Sequence, residues 1–395
     1  MSDFTETDSR SEIAALSHEV YRLTKQLEEQ EQRRLAEALP DKYDPFDNPT
    51  EYKGFCGDYS KILPRITETG YEIPLEPDYS ERRALKRSYR RGGWLMIFQY
   101  VFSNGLGYLI VQLVLALMLA VNPDAGSAAI TEYVRGSSIL VSINMMVYIL
   151  CNVGIAVIGM KWAGIKYTSL VRTNDFGAGR AFQYCVIGLL LWTVSLYFIL
   201  GTKDVFSKYG IDIVPDLSGV ANTYLGKTVN LLYACMLAPM TEELFFRGVL
   251  LRTLAKSNQR FAIFASALFF GLVHGNIQQF ILAVLIGIFL AHITLKHGSI
   301  IPAVIVHMCV NTASSIIGYV SEISTVASMI SYLVLLAVSL LGVIMLLVFL
   351  GRDKLPTPTP KQARRGVLVA VGSIPFTGAV VIYVLDILYK LFAKK

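Results

Sequence analysis

The sequence predicts an all-α, polytopic transmembrane helical bundle of about eight to nine spans with a soluble N-terminal helical arm, and three observations predict it. The chain is 53% hydrophobic and 17% charged, with a mean hydropathy of +0.49, which is more apolar than soluble globular chains usually are. Apolar windows of about 20 residues, enough to cross a hydrocarbon core of roughly 30 Å, recur from Trp94 onward and do not occur before it. Lys and Arg cluster at alternate connections between those windows, as a fixed orientation in a bilayer requires.

Residues 1–92 make up the arm. Ile13, Leu16, Val20, Leu23 and Leu27 follow 3-4-3-4 spacing, which draws one apolar stripe along a helix starting near Ser11 and stopping before Pro40. Such a stripe needs a partner. It is read either as a surface helix lying on the protein or membrane, or as a short coiled coil that drives self-association. The opening residues are acidic and lack an apolar core, so no cleavable signal peptide is expected and insertion falls to the first span. The basic run Arg82, Arg83, Lys86, Arg87, Arg90 and Arg91 before Trp94 places the arm in the cytoplasm and suits anionic headgroups.

The candidate spans are 94–121, 139–160, 181–200, 228–246, 261–276, 279–296, 299–318, 327–350 and 366–389. Threaded from a cytoplasmic start, they put Lys161, Lys166 and Arg172, then Arg252, Lys256 and Arg260, then Arg352 to Arg365 on the inside. A ninth full crossing leaves Lys390, Lys394 and Lys395 outside. Gly372, Pro375 and Gly378 offer a re-entrant hairpin as the alternative. The organisation read from this is an arm at 1–92, N-terminal spans at 93–224, a core at 225–320 and C-terminal spans at 321–395.

Ionisable side chains are costly at membrane depth and persist mainly against a protein interior or a wet cavity. Here they cluster. The segment from Ala238 to Arg247 carries adjacent Glu242 and Glu243 at the expected end of the fourth span, with Arg247 one turn beyond Glu243, a favourable ion-pair spacing. Glu242 is turned away by about 100° and is left as a freer carboxylate, fit to act as a general base on water. In the next span Phe270 and His274 share a face, and two spans later so do His307 and Asn311. Each motif alone is compatible with ordinary packing or an interfacial helix end; polar groups from three apolar helices together point to chemistry.

His18, His292 and His297 are read as surface or interfacial. Asp386, Asn144, Asn152 and Gln183 are read as interhelical hydrogen-bonding groups. Cys309 and Ser314 lie near the His307 motif without an evident base and orienter, which argues against a nucleophilic mechanism. The five cysteines form no CxxC pair, so neither a disulfide framework nor a Cys-based zinc site follows.

The ordered motifs Glu-Glu-x-x-x-Arg (Glu242, Glu243, Arg247), Phe-x-x-x-His (Phe270, His274) and His-x-x-x-Asn (His307, Asn311) resemble those of the CPBP family, which includes the type II CAAX prenyl endopeptidases and bacteriocin-immunity relatives, with an Abi domain. The resemblance covers roughly 225–320. It implies a helical bundle with a cavity open to the cytoplasm and to the bilayer. It further implies that Glu242 with His274 activates water while His307 with Asn311 stabilises the oxyanion.

The expected activity is therefore hydrolysis of a peptide bond in a membrane-associated or lipid-modified polypeptide, either CAAX-type processing or bacterial peptide and immunity processing. No cofactor is expected; in a zinc-dependent variant of the mechanism Glu242, His274 and His307 are the ligands, although HExxH is absent. The rival readings are a non-catalytic scaffold and an ion-coupled transporter built on the same polar cluster. The expected partners are the peptide substrate, the bilayer and a second copy through the arm, with no nucleic acid. The expected location is an integral, multi-pass membrane protein with a cytoplasmic N-terminus, in the plasma membrane of a bacterial host.

Overall fold

The computed structural model describes residues 15–30, 65–67, 70–72, 76–136, 138–172, 176–209, 224–255, 258–353 and 360–392. Within them the chain is helical, apart from one antiparallel pairing of Arg65–Thr67 (β1) with Gly70–Glu72 (β2). Helix α1 covers residues 15–30, and Leu16, Val20, Leu23 and Leu27 stand exposed along it. Ile13 lies outside the described residues.

Helix α2, Glu76–Val121, runs without interruption from the basic segment into the first span, so the expected boundary at 92 falls inside a continuous helix. Gly92 and Gly93 do not break it because they sit where neighbours press close. A Cβ on Gly93 would collide with the backbone of Pro375 and Phe376, and one on Gly92 would lie 2.8 Å from Leu254. The buried face of α2 carries Leu85, Tyr89, Met96 and Gln99, at helical spacing.

A 3-10 turn, Pro123–Ala125, leads to α3, Ser127–Gly136, and α4, Ser138–Ala163. The short α5, Tyr167–Leu170, and the long α6, Ala178–Lys208, follow. The stretch from Tyr224 to Leu254 is one interrupted rod: α7, Tyr224–Leu232; a π-helical turn, Tyr233–Leu237; α8, Ala238–Glu243; a second π-helical stretch, Leu244–Leu251; and α9, Arg252–Leu254. Then come α10, Gln259–Leu272; α11, Ile277–His297; α12, Ile301–Ile323; α13, Thr325–Arg352; α14, Pro360–Val371; and α15, Ile374–Phe392.

Among the described residues seven helices are long and apolar enough to cross a membrane: those ending at Val121, Ala163, Lys208, His297, Ile323, Arg352 and Phe392. The two other windows read from the sequence are the π-interrupted rod and α10, whose 14 residues extend only about 21 Å. The protein is an integral, multi-pass membrane protein. Its last segment is broken at Gly372 and Ser373, which separate α14 from α15, and α15 runs parallel to α2, with Phe376 at Gly93, Tyr383 at Met96 and Asp386 at Tyr100.

One end of the bundle is basic. Lys161, Lys166, Arg172, Arg180, Arg260 and Arg352 are exposed there. Asp353 gathers Lys296 at 2.9 Å and Arg180 at 3.9 Å. Arg252, which the sequence assigns to this charged rim, is instead interior. It is 1% and Arg247 0% exposed, and each is held by acceptors inside the bundle. Arg252 donates to Ser169 Oγ at 2.7 Å and to the carbonyls of Ser169 and Gly298 at 2.9 Å each, tying α5 to the α11–α12 turn. His292 and His297 are half-buried, not superficial: His292 Nε2 donates to the Asp353 carbonyl at 2.8 Å, and His297 Nε2 meets Tyr184 Oη at 3.0 Å.

Candidate active site

The interrupted rod owes its first π turn to Pro239, which has no N–H and whose ring crowds the preceding helical carbonyl. The chain widens there: the Ala238 N–H bonds the carbonyl of Tyr233, five residues back. In that register the Ala234 carbonyl is due a donor from position 239, and proline has none. The vacancy is filled from outside, by Asn311 Nδ2 of α12 at 2.8 Å. The rod continues past the carboxylates to Leu254, so Glu243 lies about 17 Å from its basic end and not at a helix terminus near 246.

Glu243 is 0% exposed and Arg247 equally so. Arg247 Nη1 donates to Glu243 Oε1 at 2.8 Å, and Nη2 reaches the Gly287 carbonyl at 3.5 Å. The absence of a side chain at Gly287 permits this, since a Cβ there would come within 3.3 Å of Nη2. Glu243 Oε1 also accepts from His307 Nδ1 at 2.8 Å. Glu242, buried at 7% exposure, approaches the other ring nitrogen, with Oε2 3.8 Å from His307 Nε2. The two adjacent acids therefore address opposite edges of one imidazole.

His274 closes α10. Its Nδ1 lies 2.7 Å from the Phe270 carbonyl. A carbonyl only accepts, so Nδ1 carries the hydrogen and, in the neutral ring, Nε2 is the acceptor. The following turn is pinned: Gly275 takes φ +68°, which a glycine adopts without strain, and Asn276 caps α11 through Gln279 N at 2.8 Å while its amide holds the His274 carbonyl at 3.0 Å.

Glu242, His274, His307 and Asn311 all line one cavity of about 460 Å³, with Tyr148 from α4 and Tyr233 from the π turn. The lining continues along α12 to Ser314 and Ser315, away from the basic end. Phe270, which the sequence placed on one face with His274, is the central plate: Arg247 sits 4.1 Å above its ring, and His274 and His307 meet it edge-on at 5.1 and 5.6 Å. Tyr148 was not singled out in the sequence. Tyr148 was signalled by Asn144 and Asn152, four residues to either side on one face of an apolar span.

Of the other polar groups in apolar helices, Gln183 donates to the Met345 carbonyl across α6 and α13 at 3.2 Å. Asn152 is fully buried, with neither amide atom hydrogen-bonded. Among the described residues no three His, Cys, Asp or Glu side chains are arranged to hold a metal ion.

Residues 224–313 match the model of the type II CAAX prenyl endopeptidase, Rce1-like family. No curated protein and no solved structure matches the chain significantly. The matched stretch is less than a quarter of the chain, yet it spans every residue of the three motifs. Over residues 224–313 the chain is thus similar to the type II CAAX prenyl endopeptidase, Rce1-like family.

Proposed function

We propose that the protein is an intramembrane endopeptidase that hydrolyses a peptide bond of a membrane-associated or lipid-modified polypeptide by glutamate-activated water. The observation that carries this reading is the convergence of Glu242, His274, His307 and Asn311 on one cavity. Amide hydrolysis needs a base for water, a donor to the oxyanion and a proton for the leaving amine. Glu242 is the base, and His274 assists through Nε2, the ring atom left as acceptor.

His307 and Asn311 are the oxyanion donors. With Nδ1 directed to Glu243, donation by His307 Nε2 requires the imidazolium, and the Glu243 carboxylate is the counter-charge of that form. Glu243 and Arg247 are then positioning residues. Asn311 has two amide hydrogens; one bonds Ala234 and the other is available to the oxyanion. The exposed basic end is assigned to the cytoplasm, with the arm on the same side, where α1 offers a self-association stripe.

The test is cleavage of a panel of fluorogenic, lipid-modified peptides by the detergent-purified full chain, wild type beside Glu242→Ala, with and without a strong chelator. Cleavage that disappears with Glu242 and survives chelation is the expected result. Loss on chelation with rescue by zinc overturns the metal-free mechanism, and failure to cleave any peptide favours the scaffold or transport readings.

A further inference from the structure

A second, smaller cavity of about 170 Å³ adjoins the main one, sharing Tyr148 and Val273 as common walls. It is built by α2, α4 and α15, outside the family-matched segment except for Val273. Its other walls are polar, Ser103, Asn104, Asn144, Asp386 and Lys390 among them, and its volume has room for several waters.

The depth of this pocket in the bundle decides what fills it. Asp386 accepts from the Tyr100 hydroxyl at 3.2 Å. Tyr100 lies about 14 Å along α2 from Arg91, and α2 continues about 32 Å further to Val121. The ion pair of Asp386 with Lys390, at 2.7 Å, therefore stands well inside the span and not at its end. Pairing answers the acid's charge, yet the Lys390 side chain stays 51% exposed. Charged groups at such depth face a protein interior or a water-filled cavity and not lipid, so the exposed part of this ammonium marks where water enters. Asn104 and Asn144 are exposed on the same pocket. Asn104 Nδ2 turns back to the Tyr100 carbonyl at 2.9 Å, which leaves its amide oxygen as an acceptor for that water.

The inner end of the pocket reaches the chemistry. Val273 precedes His274, and Lys390 Nζ lies over the turn that follows, where a Cβ on Gly275 would come 2.7 Å from it. A lipid-modified peptide seated in the main cavity displaces water from it, while each cleavage consumes one water. The water oxygen bonds the carbonyl carbon as the C–N bond breaks; one hydrogen goes to the leaving amine and the other to the new carboxyl group, which releases it to solvent.

We propose that the side pocket is a water-filled inlet that replenishes the main cavity during hydrolysis, entered past Lys390, Asn104 and Asn144 and leading between Tyr148 and Val273. The proposal rests on the peptidase reading of the main cavity. The inlet needs no free charge: the Asp386–Lys390 pair acts as a fixed, hydrated dipole that keeps its mouth wet.

The test uses two positions on α2 at nearly the same depth. Ser103 lines the pocket, whereas Val101 is exposed on another face of the helix. Ser103→Cys and Val101→Cys are each treated, in the full chain in lipid nanodiscs, with a charged, membrane-impermeant thiosulfonate, and labelling is read peptide by peptide by mass spectrometry so that native cysteines do not interfere. The thiolate is the reacting form and needs water to exist, so Ser103→Cys should label about tenfold or more faster. In the same nanodiscs Ser103→Phe should lower kcat for a fluorogenic, lipid-modified peptide by about fivefold or more at little-changed KM, since water supply and not binding is impaired. Ser103→Thr should stay near wild type. Asn144→Leu, which dries the mouth without adding bulk, should lower kcat in the same sense, and thermal melting should be unchanged throughout.

Equal labelling at the two positions shows a dry pocket and overturns the inlet. Fast labelling with full kcat in Ser103→Phe and Asn144→Leu, or with KM raised in place of a lowered kcat, overturns it while leaving the peptidase reading intact. Fast labelling with no peptide cleaved by wild type keeps the water-filled pocket and overturns the peptidase reading. Equal labelling with no cleavage overturns both.

Discussion

On one wall of the main cavity Glu243, Arg247 and His307 hold one another at 2.8 Å contacts, clasped by Phe270 and the Gly287 carbonyl. On the other wall Glu242 has only an approach of 3.8 Å to His307, and His274 is tied through one nitrogen while the other is open. The same residue types thus occur in two conditions a few ångströms apart. Where charge is paired and buried it fixes geometry, even with Glu243 Oε2 left without a partner; where a base or an acceptor must meet water, Glu242 and His274 face the cavity. Preorganised donors lose nothing to reorganisation during reaction, and this division of labour achieves that with two neighbouring glutamates.

The largest break in that contrast is on the open wall. Glu242→Gln is expected to reduce kcat by on the order of 10²–10⁴, the usual contribution of a general base, with thermal melting in detergent close to wild type. A large fall in melting temperature would return Glu242 to the structural wall.

Next is the fixed wall. Glu243→Gln or Arg247→Met alone should destabilise by about 3–5 kcal/mol, because each leaves a buried charge alone. The double variant should recover part of that loss, so a mutant cycle by chemical or thermal denaturation measures the coupling. Additive losses would show that the pair does not act as a unit.

A smaller effect sharpens the place of Asn311, which lines the cavity and also holds the Ala234 carbonyl. Asn311→Ala orphans the Ala234 carbonyl and should lower stability by about 1–3 kcal/mol, besides lowering activity. In a Pro239→Ala background the chain regains an N–H of its own, so the stability cost of Asn311→Ala should shrink while the activity loss persists. Equal stability costs in the two backgrounds would separate Asn311 from the π turn.

The smallest is Gly287→Ala. A methyl 3.3 Å from Arg247 Nη2 and 3.2 Å from Ala267 asks for a shift of a few tenths of an ångström. The expected outcome is activity reduced by less than about tenfold, read as kcat without a matching change in KM.

The sequence by itself determined the class of protein and the identity of its polar cluster. Hydropathy and length suffice for membrane helices because an unsatisfied backbone in lipid leaves few alternatives. Spacing put Glu243 with Arg247, Phe270 with His274 and His307 with Asn311 on common faces, since one helical turn is a local property. What only the tertiary structure decided is everything that passes between helices. The second partner of Glu243 is His307, 64 residues away; the bond of Asn311 crosses to a carbonyl freed by Pro239; and Arg252, read as rim charge, is an interior clamp. So too for Asp386 and Asn144: hydropathy marks them as exceptions, but their meeting with Gln99 and Lys390 in one pocket depends on α15 running parallel to α2. Periodicity encodes which face a side chain occupies, whereas packing angles and the register between helices arise from many weak contacts summed over the bundle.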